Sequence, residues 1–200
     1  MSDHRESFKN LMNLGIQIYT NDETAEHLQI ITGELMKGVP EKRPFRVGSF
    51  TVIPFYLPHT TRDKDTGQLI PCFNYGYIVE HEEMGKLLYM TDFEYCKYNF
   101  KAMRLNHFVI ECNYCNELVD KTAENYAHRL KGHCSLDTCK SLVNMNHTAA
   151  LRTVTLIHLS NEAADPEQIL KEIKEAVVWD DALVQIATPG LEANLDLCPF

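Results

Sequence analysis

Four short apolar runs recur along the chain, and each one leads to a side chain that can bind a metal. Lys86-Leu87-Leu88-Tyr89-Met90 runs into Asp92, residues 50–57 into His59, His107-Phe108-Val109-Ile110 into Glu111, and residues 152–157 into His158. Runs of this length, rich in β-branched and aromatic residues, predict strands. Further strands are predicted at 45–47 and 73–80, with a hairpin turn over Glu82-Glu83-Met84-Gly85. Between 60 and 71 the chain is polar, with Asp63, Asp65 and Gly67, and predicts an exposed loop beside His59.

Helical spacing dominates elsewhere. Phe8, Leu11 and Met12 share one face of a predicted helix over 5–14 that stops at Gly15, and residues 16–19 predict a short strand. Asn21 and Asp22 offer an N-cap to a second helix, whose stripe of Leu28, Ile31 and Leu35 carries it to Gly38. A helix over 117–130 ends at Gly132, Ser135 caps the next, and Asp165-Pro166 with Gln168 marks a helix start running to about 175. Strands at 154–157 and 183–187 complete the set. A β-rich first half followed by alternating helices and strands predicts one layered α/β or α+β domain over residues 1–200, with helices packed outside sheets.

Composition narrows the function classes. A 44% hydrophobic chain of 200 residues can bury a substantial core. It shows neither a transmembrane run nor the basic and apolar regions of a signal peptide, so a cytoplasmic location is expected. A formal net charge of −9 argues against passive coating of nucleic acid or anionic membrane. Carboxylates gathered around cations give the same acidic count, so a nucleic-acid enzyme stays open. The seven cysteines are an odd number and read as reduced thiols. Cys112 and Cys115 form a C-x-x-C, but Cys134 and Cys139 downstream have the wrong spacing for a four-cysteine zinc ribbon.

Several motifs, in order, resemble the metallo-β-lactamase superfamily, and more narrowly its YycJ-type exonuclease-like branch. Ser2-Asp3-His4 resembles the end of the H-x-H-x-D-H motif, Pro58-His59-Thr60 the next metal histidine, Met90-Thr91-Asp92 the bridging aspartate, and Leu156-Ile157-His158-Leu159-Ser160 the last histidine. Residues 110–114 and Lys131-Gly132-His133-Cys134-Ser135 are similar to two further segments of that branch. Met1 stands where the second motif histidine belongs, so half of the motif and the strands before it have no counterpart here. The resemblance implies an αββα sandwich that is incomplete at its N-terminus.

It also implies a ligand set. Asp3, His4 and His158 would hold one ion, His59 would belong to the other, and Asp92 would bridge them; zinc, or manganese or iron, is the implied metal. Two ions are expected in an intact family member and one here. Asp3 and His133 are the implied catalytic residues, His133 through a substrate phosphate or a leaving group, with His128, Arg129 and Lys131 adding local positive charge. Glu111 could orient a ligand histidine or simply be buried on a backbone hydrogen bond. Each ligand also has a structural reading: Asp3 as an N-cap, His4 as a frayed end, His59 or Asp92 as turn residues, His158 as a core histidine.

The function implied is hydrolysis of phosphodiester bonds, in nucleic acid or a related substrate, by a metal-bound hydroxide. The alternative is a truncated or degenerate fold with one metal and little turnover; a cysteine-based zinc module is a third reading. Strands left without their neighbours would also favour self-association or a partner chain over the incomplete sheet.

Overall fold

A computed structural model of the chain describes residues 8–27, 35–63, 65–177 and 182–198. The first helix, α1, is Phe8–Asn13, followed by the strand β1, Ile18–Thr20. Helix α2, Asp22–His27, starts where the Asn21 carboxamide accepts the Thr24 N–H at 2.6 Å. Residues 28–34 of the predicted apolar stripe lie outside the described residues. Its far end is not helical as expected but forms a strand, β2, Met36–Gly38, parallel to β1. Pairing explains this, because the Ile18 N–H donates to the Leu35 carbonyl and the Val39 N–H to the Thr20 carbonyl, while Met36 is buried.

A seven-stranded sheet forms the body of the fold. Strand β3, Phe45–Val47, pairs with β4, Phe50–Arg62, which forms a long hairpin with β5, Leu69–His81, and β5 pairs with β6, Gly85–Met90, all antiparallel. Then come β7, His107–Glu111, β8, Thr153–Ile157, and β9, Leu183–Ile186, which continue from β6 in parallel. Half of the expected 60–71 loop is strand, since Thr60, Thr61 and Arg62 pair with Pro71, Ile70 and Leu69. β-Branched residues suit the pleat, and the Asp63 carboxylate confines the turn by accepting the Asp65 and Thr66 N–H groups.

The helices fit the parallel half. The predicted helix over 117–130 is replaced by a 3₁₀ turn at Asn116–Leu118 and a short helix α3, Tyr126–Gly132, because the Asp120 side chain takes the Thr122 N–H and hydroxyl into a local turn. Helix α4, Leu136–Asn146, starts on the Ser135 hydroxyl, which accepts the Thr138 N–H. Helix α5, Pro166–Ala176, starts on Asp165, whose carboxylate accepts the Glu167 and Gln168 N–H groups. Leu142, Val143, Ile169 and Ile173 of these helices meet Leu88, Phe108, Ile110, Val154 and Leu156 of the strands in one buried cluster. The central parallel strands β7 and β8, buried along almost their whole length, need such a cover. Among the described residues no helix is long and apolar enough to cross a membrane.

At the N-terminal edge of the parallel strands, His107 is 1% exposed, its Nδ1 on the Thr153 hydroxyl and its Nε2 on the Met84 carbonyl. Burial lowers its pKa from the ordinary 6.5, against the Met84 carbonyl, which raises it. The folded chain therefore binds fewer protons than the unfolded chain below pH 6.5, and the His107 contribution to stability, complete above that pH, is lost as pH falls through the lowered value. Melting temperature should drop between pH 7.5 and pH 5, and His107→Asn should flatten part of that slope; an unchanged slope in the variant would contradict the assignment.

Candidate metal centre

Strand direction gathers the site. Because β4 runs antiparallel to β5 and β5 to β6, β4 points the same way as β6, β7 and β8, and all four release their C-terminal ends at one edge of the sheet. His59 lies near the end of β4, within the strand and opposite Cys72 rather than beyond it. Asp92 follows β6, Glu111 is the last residue of β7, and His158 follows β8. His133 reaches the same edge from the end of α3.

Asp92 and His158 both turn the chain with positive φ, 53° and 58°. Asp and His tolerate this left-handed region better than most residues, but it persists only where the surroundings hold it. Two carboxamides do so. The Asn74 amide donates to the carbonyls of Thr91 and Asp92 at 2.7 and 2.6 Å, and the Asn113 amide to the His158 carbonyl at 2.7 Å.

Glu111 is the hub. Fully buried, it accepts the Asp92 N–H on Oε2, and on Oε1 it meets the Nδ1 of His133 at 2.7 Å and of His158 at 3.2 Å. The Asp92 carboxylate faces the same two nitrogens at 3.5 and 3.3 Å. Burial pushes the Glu111 carboxyl up, but the hydrogen bonds from the two imidazoles outweigh it and hold the pKa below the ordinary carboxylate value. Asp92, Glu111, His133 and His158 each place a ligand atom within 4.8 Å of the others, the one such group among the described residues.

A second tier of histidines adjoins this group. His59 is 3% exposed; its Nδ1 donates to the Gly132 carbonyl at 2.7 Å, and its Nε2 is buried with no hydrogen-bond partner. Burial lowers its pKa, partly opposed by the Asp92 charge. His128 lies against the Thr60 hydroxyl at 3.3 Å. Burial, with His133 and His59 adding to it, pushes its pKa down to about 4. Of the three residues expected to add positive charge, His128 is neutral near pH 7 and the buried Arg129 guanidinium is committed to Glu162 at 3.0 Å, while Lys131 is exposed. A cavity of about 280 Å³ between Thr20, Asn21 and Thr24 on one side and Tyr75, Tyr77 and Tyr89 on the other opens onto His59 and Asp92.

The described chain thus brings together four of the residues singled out in the sequence, His59, Asp92, His133 and His158, while Asp3 and His4 lie outside the described residues. Carboxylate oxygens beside imidazole nitrogens suit a borderline or hard divalent cation, and the His59 Nε2, buried without a hydrogen-bond partner, is a nitrogen of the same chemistry. Among the described residues the thiols form no such group. Cys112, Cys115, Cys134 and Cys139 are buried free cysteines outside the Asp92 and Glu111 group, and burial pushes the Cys134 thiol up to about 11.

No protein-family model matches the chain, and no curated protein does. Solved structures do. Bacillus subtilis YhfI, a metallo-β-lactamase fold protein, matches with a TM-score of 0.66 at 19% identity over 94% of this chain and 72% of YhfI. Unliganded yeast PDE1 matches at 0.53 and 19% identity, over 76% of this chain and 48% of PDE1. A variant of the CmlA β-hydroxylase matches at 0.52 and 9% identity, over 85% and 35%. The chain has the metallo-β-lactamase fold, of the α+β class, as the motifs implied.

Proposed function

We propose that the chain is a metal-dependent hydrolase of phosphodiester bonds, with nucleic acid as its substrate class. The observation that carries this reading is the Asp92, Glu111, His133 and His158 group at the C-terminal edge of the sheet in a metallo-β-lactamase fold. The likeness of fold to yeast PDE1, whose name is that of a phosphodiesterase, and the YycJ-type motifs support the substrate class. Seven free cysteines through the fold support a reducing, cytoplasmic setting.

In this reading Asp92 and His158 would hold one cation, zinc or else manganese or iron, with Asp3 and His4 as the further ligands that the family resemblance implies, and His59 would belong to a second position. A bound divalent cation supplies Lewis acidity and makes water a competent nucleophile near neutral pH. Glu111 keeps the His133 and His158 rings in one orientation beside Asp92. The cavity beside Asp92 gives a phosphodiester group room to approach, with the Asn74 carboxamide fixing the backbone at its floor.

Chelator-stripped protein should be inert toward bis(p-nitrophenyl) phosphate and short single-stranded DNA or RNA. It should gain turnover on reloading with zinc, manganese or iron. Protein that retains a cation at this group yet cleaves none of these substrates under any of the three metals would overturn the hydrolase reading in favour of a metal-holding fold without turnover.

A further inference from the structure

We propose that His59, His128 and His133 form a cation position of their own, suited to a borderline divalent ion such as zinc or cobalt, beside the group around Asp92 and Glu111. The inference rests on the metal-dependent reading above and extends it by making His128 a ligand.

The three rings stand in a nearly equilateral triangle, with centres 5.8 Å apart for His59 and His128, 5.7 Å for His59 and His133, and 5.3 Å for His128 and His133. Imidazole nitrogens about 2.0–2.1 Å from a zinc ion put their ring centres roughly 5 Å apart, so the triangle is close to that spacing. Gly132 makes the approach feasible: a Cβ there would lie 3.2 Å from atoms of both the His59 and His128 rings.

Each ring is also held by its Nδ1 on a protein oxygen, the Gly132 carbonyl for His59, the Glu111 carboxylate for His133 and the Thr60 hydroxyl for His128. A carbonyl and a carboxylate only accept, so His59 and His133 donate from Nδ1, and Nε2 is the nitrogen of each ring left to face a cation. An oxygen on the far nitrogen is the arrangement that orients metal-ligating histidines. The His59 Nε2 is, in addition, buried without a hydrogen-bond partner in a residue that is 3% exposed. The three nitrogens do not yet meet as closely as the ligand atoms of the carboxylate group, so capture of an ion requires the rings to turn about their side-chain bonds. Occupancy also fixes the role of His133, since an imidazole whose Nε2 lone pair is on a cation cannot pass a proton to a leaving group.

Cobalt titration of chelator-stripped protein, followed by calorimetry and visible absorption, tests the position in wild type, His128→Ala, Thr60→Val and His158→Ala. Two ions per chain are expected in wild type and one in His128→Ala. Thr60→Val should keep both ions but weaken one by roughly 10- to 100-fold, and His158→Ala should keep the histidine-bound ion. His128 and Thr60 are only half-buried, and circular dichroism melting verifies that each variant is folded; the near-isosteric Thr60→Val decides the matter should His128→Ala not fold. Unchanged stoichiometry and affinity in the His128 and Thr60 variants would overturn the inference and leave the hydrolase reading standing. A single ion lost only in His158→Ala would do the same, whereas no ion in wild type would overturn both.

Discussion

Glu111→Ala should lose both stability and cation retention. The fully buried carboxylate receives the Asp92 N–H on one oxygen and meets the His133 and His158 rings on the other, so its removal breaks every one of these contacts at once. A buried N–H left without an acceptor costs about 1–3 kcal/mol, which a chemical denaturation curve resolves. Freed imidazoles no longer point one way, and cation affinity should fall by roughly 10- to 100-fold, as loss of an orienting partner usually brings. Glu111→Gln should fall between the two proteins, because its carboxamide still accepts once but turns an N–H₂ toward groups that themselves donate. Wild-type midpoint and wild-type metal content in Glu111→Ala would show that the carboxylate is a bystander.

Asp92→Asn should separate what Glu111→Ala joins. Asparagine accepts the left-handed conformation of this position as readily as aspartate, so the backbone clasp by Asn74 and Glu111 survives and the melting temperature should stay within a degree or two of wild type, by order of magnitude. What goes is the charge that faces both imidazole nitrogens and the cavity. Metal content per chain, measured by elemental analysis after gel filtration, should drop and the affinity should fall by at least about 100-fold, more than for a residue that only orients ligands. Full occupancy in Asp92→Asn would remove Asp92 from the ligand set.

Strand-borne features were the most legible in the sequence. An apolar run closed by Asp, Glu or His leaves the acidic or basic residue at a strand end, and the parallel pairing of β6, β7 and β8 then sets Asp92, Glu111 and His158 side by side. The N-cap at Asp165 was equally plain, since a carboxylate, a proline and a third-position glutamine are local chemistry. Features decided by distant partners were not. Met36–Gly38 carries a helical stripe in its sequence neighbours and is a strand only because β1 lies beside it. Thr60 to Arg62 are polar and read as loop until the β5 ladder takes up their backbone groups. His128 falls in a run with Arg129 and Lys131 that reads as basic, and its pKa is lowered first by burial and then by His133 and His59, the latter close in space but far in sequence. Asn74, which clasps the turn at Asp92, sits in an aromatic strand with nothing around it to mark a carboxamide as structural.

The order of strands in the sheet also sets the order in which this site can come into being during folding. The β4–β5–β6 meander is built from near neighbours, whereas the parallel pairings that bring in Glu111 and His158 must first close long connections, and such non-local contacts form slowly. His59 arrives with the early half and waits for α3 to supply the Gly132 carbonyl that fixes its ring. A one-residue slip in the β4–β5 hairpin would turn His59 to the opposite face of the sheet while leaving the helices of the late half untouched. Metal capture in a refolding experiment therefore reports the joining of two separately assembled halves in register, a later event than the recovery of helical signal.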